Sequence, residues 1–471
     1  MAQDLIHWQR LPPPIQPVTL KTWDGSISML DNKDPLGPVM IYDAQDGKLT
    51  HDDVYHSGSN LSMPFDKPIL GVARLDDPKD KYLVKWSRAK FNPVTFAGGP
   101  KDGIAFPGPI WKEGDHYNFI GQGSLFSSAD DKFQSWTRKD VGGKKVMDPL
   151  GGGRENSGQW MMPVPNQVDG TPAPSGAGAP NMLINIGGGD RYVFATWDNK
   201  TETLTPWTAP TGAPKTGQVA HLEGAHASWW GASGGTDNNG RMMMIGWATP
   251  DFHGNAGPGI NFLTRLTGLR EVNYDAKLEN LVANPVPELK NLRGASIASE
   301  KAVALTAGAM HVVKGTDGGK AAASDIEITF TGASSGTTVG ACVLGSASNS
   351  TTGLGIKVTV GTGGAATAQF GPCGAKTAFT AANPALAANT FQVFEEADGL
   401  MVRIMPDRSL ADFFVQGGQV AGTMAWQGKE PRAAGDSQVT VYASAAVKAD
   451  IDVWSMGCGW LTPSYTENPT L

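Results

Sequence analysis

Short apolar or aromatic runs, each four to eight residues long and each cut off by glycine, proline, asparagine or aspartate, recur throughout the first 290 residues: GPVMIYDA, HYNFIGQG, MLINIGGG, RYVFATWD and RMMMIGWA. Runs of that length and composition read as β-strands ending in turns. The segment MLINI-GGGD-RYVFATW reads as an antiparallel hairpin with a glycine-rich connection. With 60 glycines and 32 prolines among 471 residues, against a usual combined share of roughly 12%, the chain is too turn-rich for a coiled coil or a helical bundle. Its 14 tryptophans and 40% hydrophobic residues argue equally against disorder. A succession of small antiparallel sheets is the signature of a propeller or a large sandwich.

The composition changes around PVPELKNLRGASIASEKAV, which places a boundary near residue 295 and divides the chain into 1–295 and 296–471. Beyond it, residues 314–390 are dominated by Gly, Ala, Ser and Thr. DIEITFTG and LGIKVTVG nevertheless keep a two-residue period, so strands are expected to continue, with low-complexity disorder as the competing reading. LMVRIMPDRSLADFFVQGG and SQVTVYASAAV alternate again, which predicts a β-sandwich for the second part.

Several function classes fall away. A net charge of −7 with a pI near 5.6, and no basic run, excludes a phosphate-backbone tracker, so no nucleic acid partner is expected. No apolar stretch reaches the roughly 18 residues of a membrane span, and MAQDLIHWQR lacks the basic start and apolar middle of a signal peptide. A soluble chain without membrane association is expected. Cys342, Cys373 and Cys458 are dispersed and odd in number, suggesting neither a zinc site nor a disulfide framework. Asn60, Asn199 and Asn349 head Asn-X-Ser/Thr sequons. The glycine clusters at 151–153 and 187–189 lack the strand-then-helix setting of a phosphate loop, and no nucleotide or other cofactor is expected.

In order along the chain, several segments resemble glycoside hydrolase family 32, the invertases, fructan hydrolases and fructosyltransferases. Asp4-Leu5-Ile6-His7-Trp8 is similar to the family's D-L-x-H-W, and Trp23-Asp24-Gly25-Ser26 to its W-S-G-S. Gly37-Pro38-Val39-Met40-Ile41-Tyr42 matches the next strand, and Tyr82 to Trp86 with Phe91-Asn92-Pro93-Val94 resembles L-L-x-W and N-P-V. Tyr192 to Lys200 resembles G-T-Y-D, and Asn239-Gly240-Arg241 with Gly246-Trp247 resembles N-x-R…G-W. Asp407 to Phe414 with Gly417-Gly418 looks like D-H-S-I-V-E-S-F…G-G. The resemblance implies an all-β fold, a five-bladed β-propeller with an incomplete first blade followed by a C-terminal β-sandwich. It also implies β-fructofuranosidase chemistry on sucrose or on terminal β-D-fructofuranosyl units of fructans, and an extracellular or vacuolar compartment.

The same alignment leaves the chemistry unmatched. A retaining glycosidase needs two carboxyl groups about 5 to 5.5 Å apart. The family's nucleophile lies in W-M-N-D-P-N-G, a motif this sequence lacks because it begins beyond that point, as a truncated or shortened chain would. Gly108 stands where the R-D-P aspartate is expected, and Met161 where the acid/base glutamate of W-E-C-P-D is expected. Asp24, Asp102 and Glu155 are the fallback carboxylates. Trp23, Phe106 and Trp160 are candidate aromatic walls of a sugar pocket, and Asp24, Ser26 and Glu223 candidate hydroxyl partners; the plainer readings are core aromatics and turn polars. Trp23, Ser26, Phe106 and Trp160 are expected to converge on one concavity. His221 and His226 flank Glu223 at a spacing that puts them on opposite faces of a strand, so no metal is expected. Asp115-His116 and Asp251 with His253 read as loop polars. Arg408 and Asp412 occupy the family's His and Glu positions on a strand turned toward the propeller, chiefly in a structural role. The alternatives to an active hydrolase are a non-catalytic sucrose- or fructan-binding relative and a plain scaffold.

Overall fold

A computed structural model describes residues 4–8, 21–30, 37–45, 69–80, 83–92, 94–97, 107–139, 144–150, 161–176, 178–185, 191–208, 220–221, 229–237, 239–248, 265–345, 353–362, 365–373, 391–394, 399–408, 410–425 and 436–459. They form an all-β molecule, a propeller followed by a sandwich, in which four blade sheets precede residue 290.

Blade one pairs Lys21–Ser28, Val39–Gln45, Ile69–Leu75 and Trp86–Arg88 in sequence order, all antiparallel. Blade two orders Trp111–Glu113, His116–Gly121, Ser124–Ser128 and Ser135–Arg138 the same way, and Thr95–Ala97 adds a parallel outer strand. Blade three runs Met161–Pro163, Met182–Asn185, Arg191–Asp198 and Thr203–Pro206, with Ala220–His221 also on Arg191–Asp198. Blade four runs Trp229–Thr236, Met242–Ala248, Arg270–Asp275 and Asn280–Pro285, with Arg265–Leu266 alongside. The predicted hairpin closes as expected, with Leu183 opposite Phe194 and Ile184 opposite Val193.

Successive side chains on a strand point to opposite faces, and blades two and three bury both faces because each is sandwiched between neighbouring sheets. Ile41 and Val72 of blade one pack with Phe119, Phe126 and Trp136 of blade two. The opposite face of blade two gives Ile120 and Leu125 to Ile184, Val193 and Ala195 of blade three. Leu183, Tyr192 and Phe194 then face Met244, Val272 and Tyr274 of blade four. The methionine run at 242–244 is thus a two-faced buried strand, with Met242 and Met244 toward blade three and Met243 packed on Ile6 and Val286.

After the 3-10 helix Pro287–Leu292 the chain enters two six-stranded sheets. One contains Arg293–Leu305, Val447–Met456, Ser324–Thr331, Leu400–Asp407, Leu410–Val415 and Val420–Ala425; the other contains Met310–Val312, Gln438–Ala443, Thr338–Gly345, Gly353–Val360, Ala365–Cys373 and Phe391–Phe394. Their facing sides bury Ile326, Ile328, Phe330, Ile356, Phe370, Phe413 and Val441 in one core. The small-residue tract therefore carries strands, because its inward positions are apolar even where its outward ones are Gly, Ser or Thr.

One expectation fails here. Cys342 and Cys373 form a disulfide, with Cα atoms 5.9 Å apart. The bridge is packed against Gly353 and Gly355 of the strand between them, where any Cβ would run into its sulfurs. Pairing across an intervening strand is a property of sheet order, which cysteine spacing alone does not reveal.

The two domains meet at blade four. Asp412, buried, accepts from Arg270 Nη2 at 3.0 Å, from the Thr423 hydroxyl at 2.5 Å and from the Gly268 N–H at 3.0 Å. Arg270, whose side chain is wholly buried, lies over the Phe414 ring and also donates to Thr423. Gly418, at φ +84°, accepts the Ala283 N–H on its carbonyl at 3.0 Å, and a Cβ there would overlap the Ala283 carbonyl. Phe414 and Ala421 complete the core shared by blades three and four. Asp412 therefore faces the propeller as expected. Arg408 does not: it sits exposed on the hairpin turn at φ +55°, its N–H bonded to the Ala322 carbonyl.

Candidate functional site

The strand Lys21–Ser28 carries the Trp23-Asp24-Gly25-Ser26 segment, and its register against Val39–Gln45 slips between Thr22 and Gly25. Trp23 and Asp24 together thus oppose Asp43, which makes a β-bulge, a device that re-aims side chains and is common beside active sites. Asp43 is a buried carboxylate and was not singled out from sequence, although a charge inside the apolar run VMIYDA was the available signal. Gly25 is obligatory at the bulge, since a Cβ would sit 2.6 Å from the Ile41 carbonyl oxygen.

Two hydroxyls stitch this strand to blade two. Ser26 Oγ donates to the Pro107 carbonyl at 2.8 Å, and Ser28 Oγ accepts the Ile110 N–H at 2.7 Å. Between them Gly108 is buried, its N–H bonded to the Ile120 carbonyl at 2.8 Å. Ile120 in turn belongs to the apolar cluster between blades two and three, and half-buried Met161 packs against that cluster from the first strand of blade three. Ser26, Pro107-Gly108, Ile120 and Met161 therefore form one connected path across three blades. At its end, the position expected for the acid holds a thioether packed on the cluster that contains Ile120, Leu125 and Ile184.

Phe106, Trp160 and Glu223, with the fallback carboxylates Asp102 and Glu155, lie outside the described residues, as do His226, Asp251 and His253. Trp23 and Asp24 are placed by their backbone on the bulge. His221 ends the edge strand of blade three, and among the described residues no group of three or more His, Cys, Asp or Glu is arranged to hold a metal ion.

The segments that matched by sequence prove to be joints of the framework. Asp4 accepts the Ile6 and His7 N–H groups and pairs with His7 Nδ1 at 2.6 Å, a bond that holds its carboxyl down to about 2. Trp8 donates its N–H to the Gly459 carbonyl, tying this segment to the end of the last sandwich strand. Asn92 clamps Val72 by accepting its N–H at 2.9 Å and donating to its carbonyl at 2.8 Å. Arg241 bonds Asp237 and Glu288, fixing blade four to the interdomain helix.

No family model matches the chain. Two curated relatives do: the insoluble β-fructofuranosidase isoenzymes CWINV6 and CWINV4 of Arabidopsis thaliana, each 23% identical, over 70% and 62% of this chain and 58% and 48% of theirs. Among solved structures, fructan 1-exohydrolase IIa of Cichorium intybus superposes with a TM-score of 0.72 at 18% identity, over 98% of this chain and 89% of that one. The Bombyx mori GH32 β-fructofuranosidase BmSUC1 gives 0.61 at 16% identity, over 98% and 84%. The chain is similar in sequence to plant β-fructofuranosidases and shares the fold of glycoside hydrolase family 32 structures. It spans about half to three-fifths of the length of the curated relatives it matches. The resemblance rests on the joints just described, and Gly108 and Met161 stand at the two positions where the sequence reading expects carboxylates.

Proposed function

We propose that the chain recognises sucrose or the terminal β-D-fructofuranosyl units of fructans, and that it hydrolyses the fructosyl bond very slowly. The sugar class is supported by neighbours of the same fold solved with 1-kestose, with sucrose and with fructosylnystose. The slow rate is supported by one observation, the packing of Met161 into the apolar cluster at the position expected for the acid. A thioether cannot protonate a leaving oxygen, and general acid help is worth about 10² to 10⁴ in rate. Stacking and hydroxyl contacts need no such proton, so recognition survives the substitution.

Calorimetric titration with sucrose and 1-kestose, run beside an assay for released fructose, tests both halves. Saturable binding is expected, with release far below about 1 per second. Turnover at roughly 1 to 10³ per second would overturn the slow-hydrolysis reading and make Asp24, Asp102 and Glu155 the first carboxylates to replace. Absence of any binding would overturn sugar recognition and leave a scaffold.

A further inference from the structure

The sequon Asn199-Lys200-Thr201 occupies the turn between Arg191–Asp198 and Thr203–Pro206, where Asp198 pairs with Thr203. Asp198 organises that turn by itself, its Oδ1 accepting the Lys200 N–H at 2.8 Å and the Thr201 N–H at 3.4 Å. The Thr201 hydroxyl lies 2.7 Å from that of Thr203, and Glu202 is tied to Lys139 of blade two at 3.3 Å. The backbone is thus held by its neighbours. The Asn199 side chain is exposed and makes no hydrogen bond among the described residues. It sits at the opposite edge of blade three from Met161–Pro163, so a bulky group there projects away from the Ser26–Gly108–Met161 path.

An independent observation points to an oxidising compartment. The Cys342–Cys373 bridge is buried in the sandwich between strands whose glycines leave room for it. Structural disulfides form and persist in oxidising compartments and are rare where thiols are kept reduced. In eukaryotes one such compartment, the lumen of the endoplasmic reticulum, also holds the lipid-diphosphate-linked oligosaccharide that modifies sequons.

We propose that Asn199 is an N-glycosylation site. Its Nδ2 attacks the anomeric carbon of the lipid-linked oligosaccharide; the C–N bond forms, the bond from that carbon to the diphosphate oxygen breaks, Nδ2 loses one proton and the lipid diphosphate leaves. The glycan caps the hairpin that leads into Thr203–Pro206, the last strand in the order of its sheet among the described residues.

The test translates the full chain, behind a cleavable secretory leader and carrying N60Q and N349Q, into microsomes, and scores the protease-protected product. One endoglycosidase-sensitive shift is expected. N199Q and T201A should abolish it and T201S should keep it. Peptide mass spectrometry of the full chain secreted from a eukaryotic host should place the glycan on Asn199. A protected product with no shift, or a shift that survives N199Q, would overturn the proposal.

Discussion

Replacing Asp412 by alanine removes the carboxylate that Arg270 Nη2 bonds at 3.0 Å, while the guanidinium stays wholly buried. It also strips acceptors from the Thr423 hydroxyl and the Gly268 N–H. Breaking a buried pair from one side costs about 3–5 kcal/mol, because the remaining charge has no compensation. At about 2–4 °C per kcal/mol for a domain of this size, the transition that opens the seam should fall by about 6 to 20 °C. Calorimetry and urea unfolding of D412A measure it directly. The double variant D412L/R270M removes both charges beside Phe414 and should recover part of the loss, the Thr423 hydroxyl and the Gly268 N–H still lacking their acceptor. If D412A unfolds within about 0.5 kcal/mol of the unaltered chain, as an ordinary surface change would, the seam is not held by this pair and the reasoning fails.

Three further outcomes can be checked. C342A/C373A should lose about 3–4 kcal/mol of sandwich stability, from the loop entropy of a 31-residue separation, and excess reductant should shift the unaltered chain to the same unfolding midpoint. S26A, which deletes the 2.8 Å bond to Pro107, should cost about 0.5–1.5 kcal/mol in urea unfolding of the propeller. Burial pulls the Asp325 carboxyl upward, yet the guanidiniums of Arg403 and Arg293 outweigh it and hold it below its ordinary 3.8. The stability it contributes is therefore complete above that value and lost as pH falls through the depressed one, so D325N should flatten the acid limb of a stability-against-pH curve.

Much of the fold was legible because strands announce themselves by period and turns by glycine, proline and asparagine. RYVFATWD alternates between Tyr192 and Phe194 on one side and Val193 and Ala195 on the other, and the structure sends those two sets to different blades. The disulfide was not legible, since Cys342 and Cys373 meet only once Gly353–Val360 has been placed between their strands. Nor was the bulge that sets Trp23 and Asp24 against Asp43, because a register slip is decided by pairing partners and leaves no periodic trace. Asp412 read correctly as structural, but its partner Arg270 lies 142 positions away and nothing local links the two.

The apolar wall beside Met161 also bears on how a carboxyl would behave there. A glutamate introduced at that position would pack against the apolar cluster that contains Ile120, Leu125 and Ile184. Desolvation disfavours the ionised form and moves a carboxyl toward neutrality. A general acid serves best when its pKa lies close to the working pH. The packing that now holds a thioether would disfavour ionisation, so the carboxyl introduced by M161E should keep its proton to a higher pH than an exposed glutamate does.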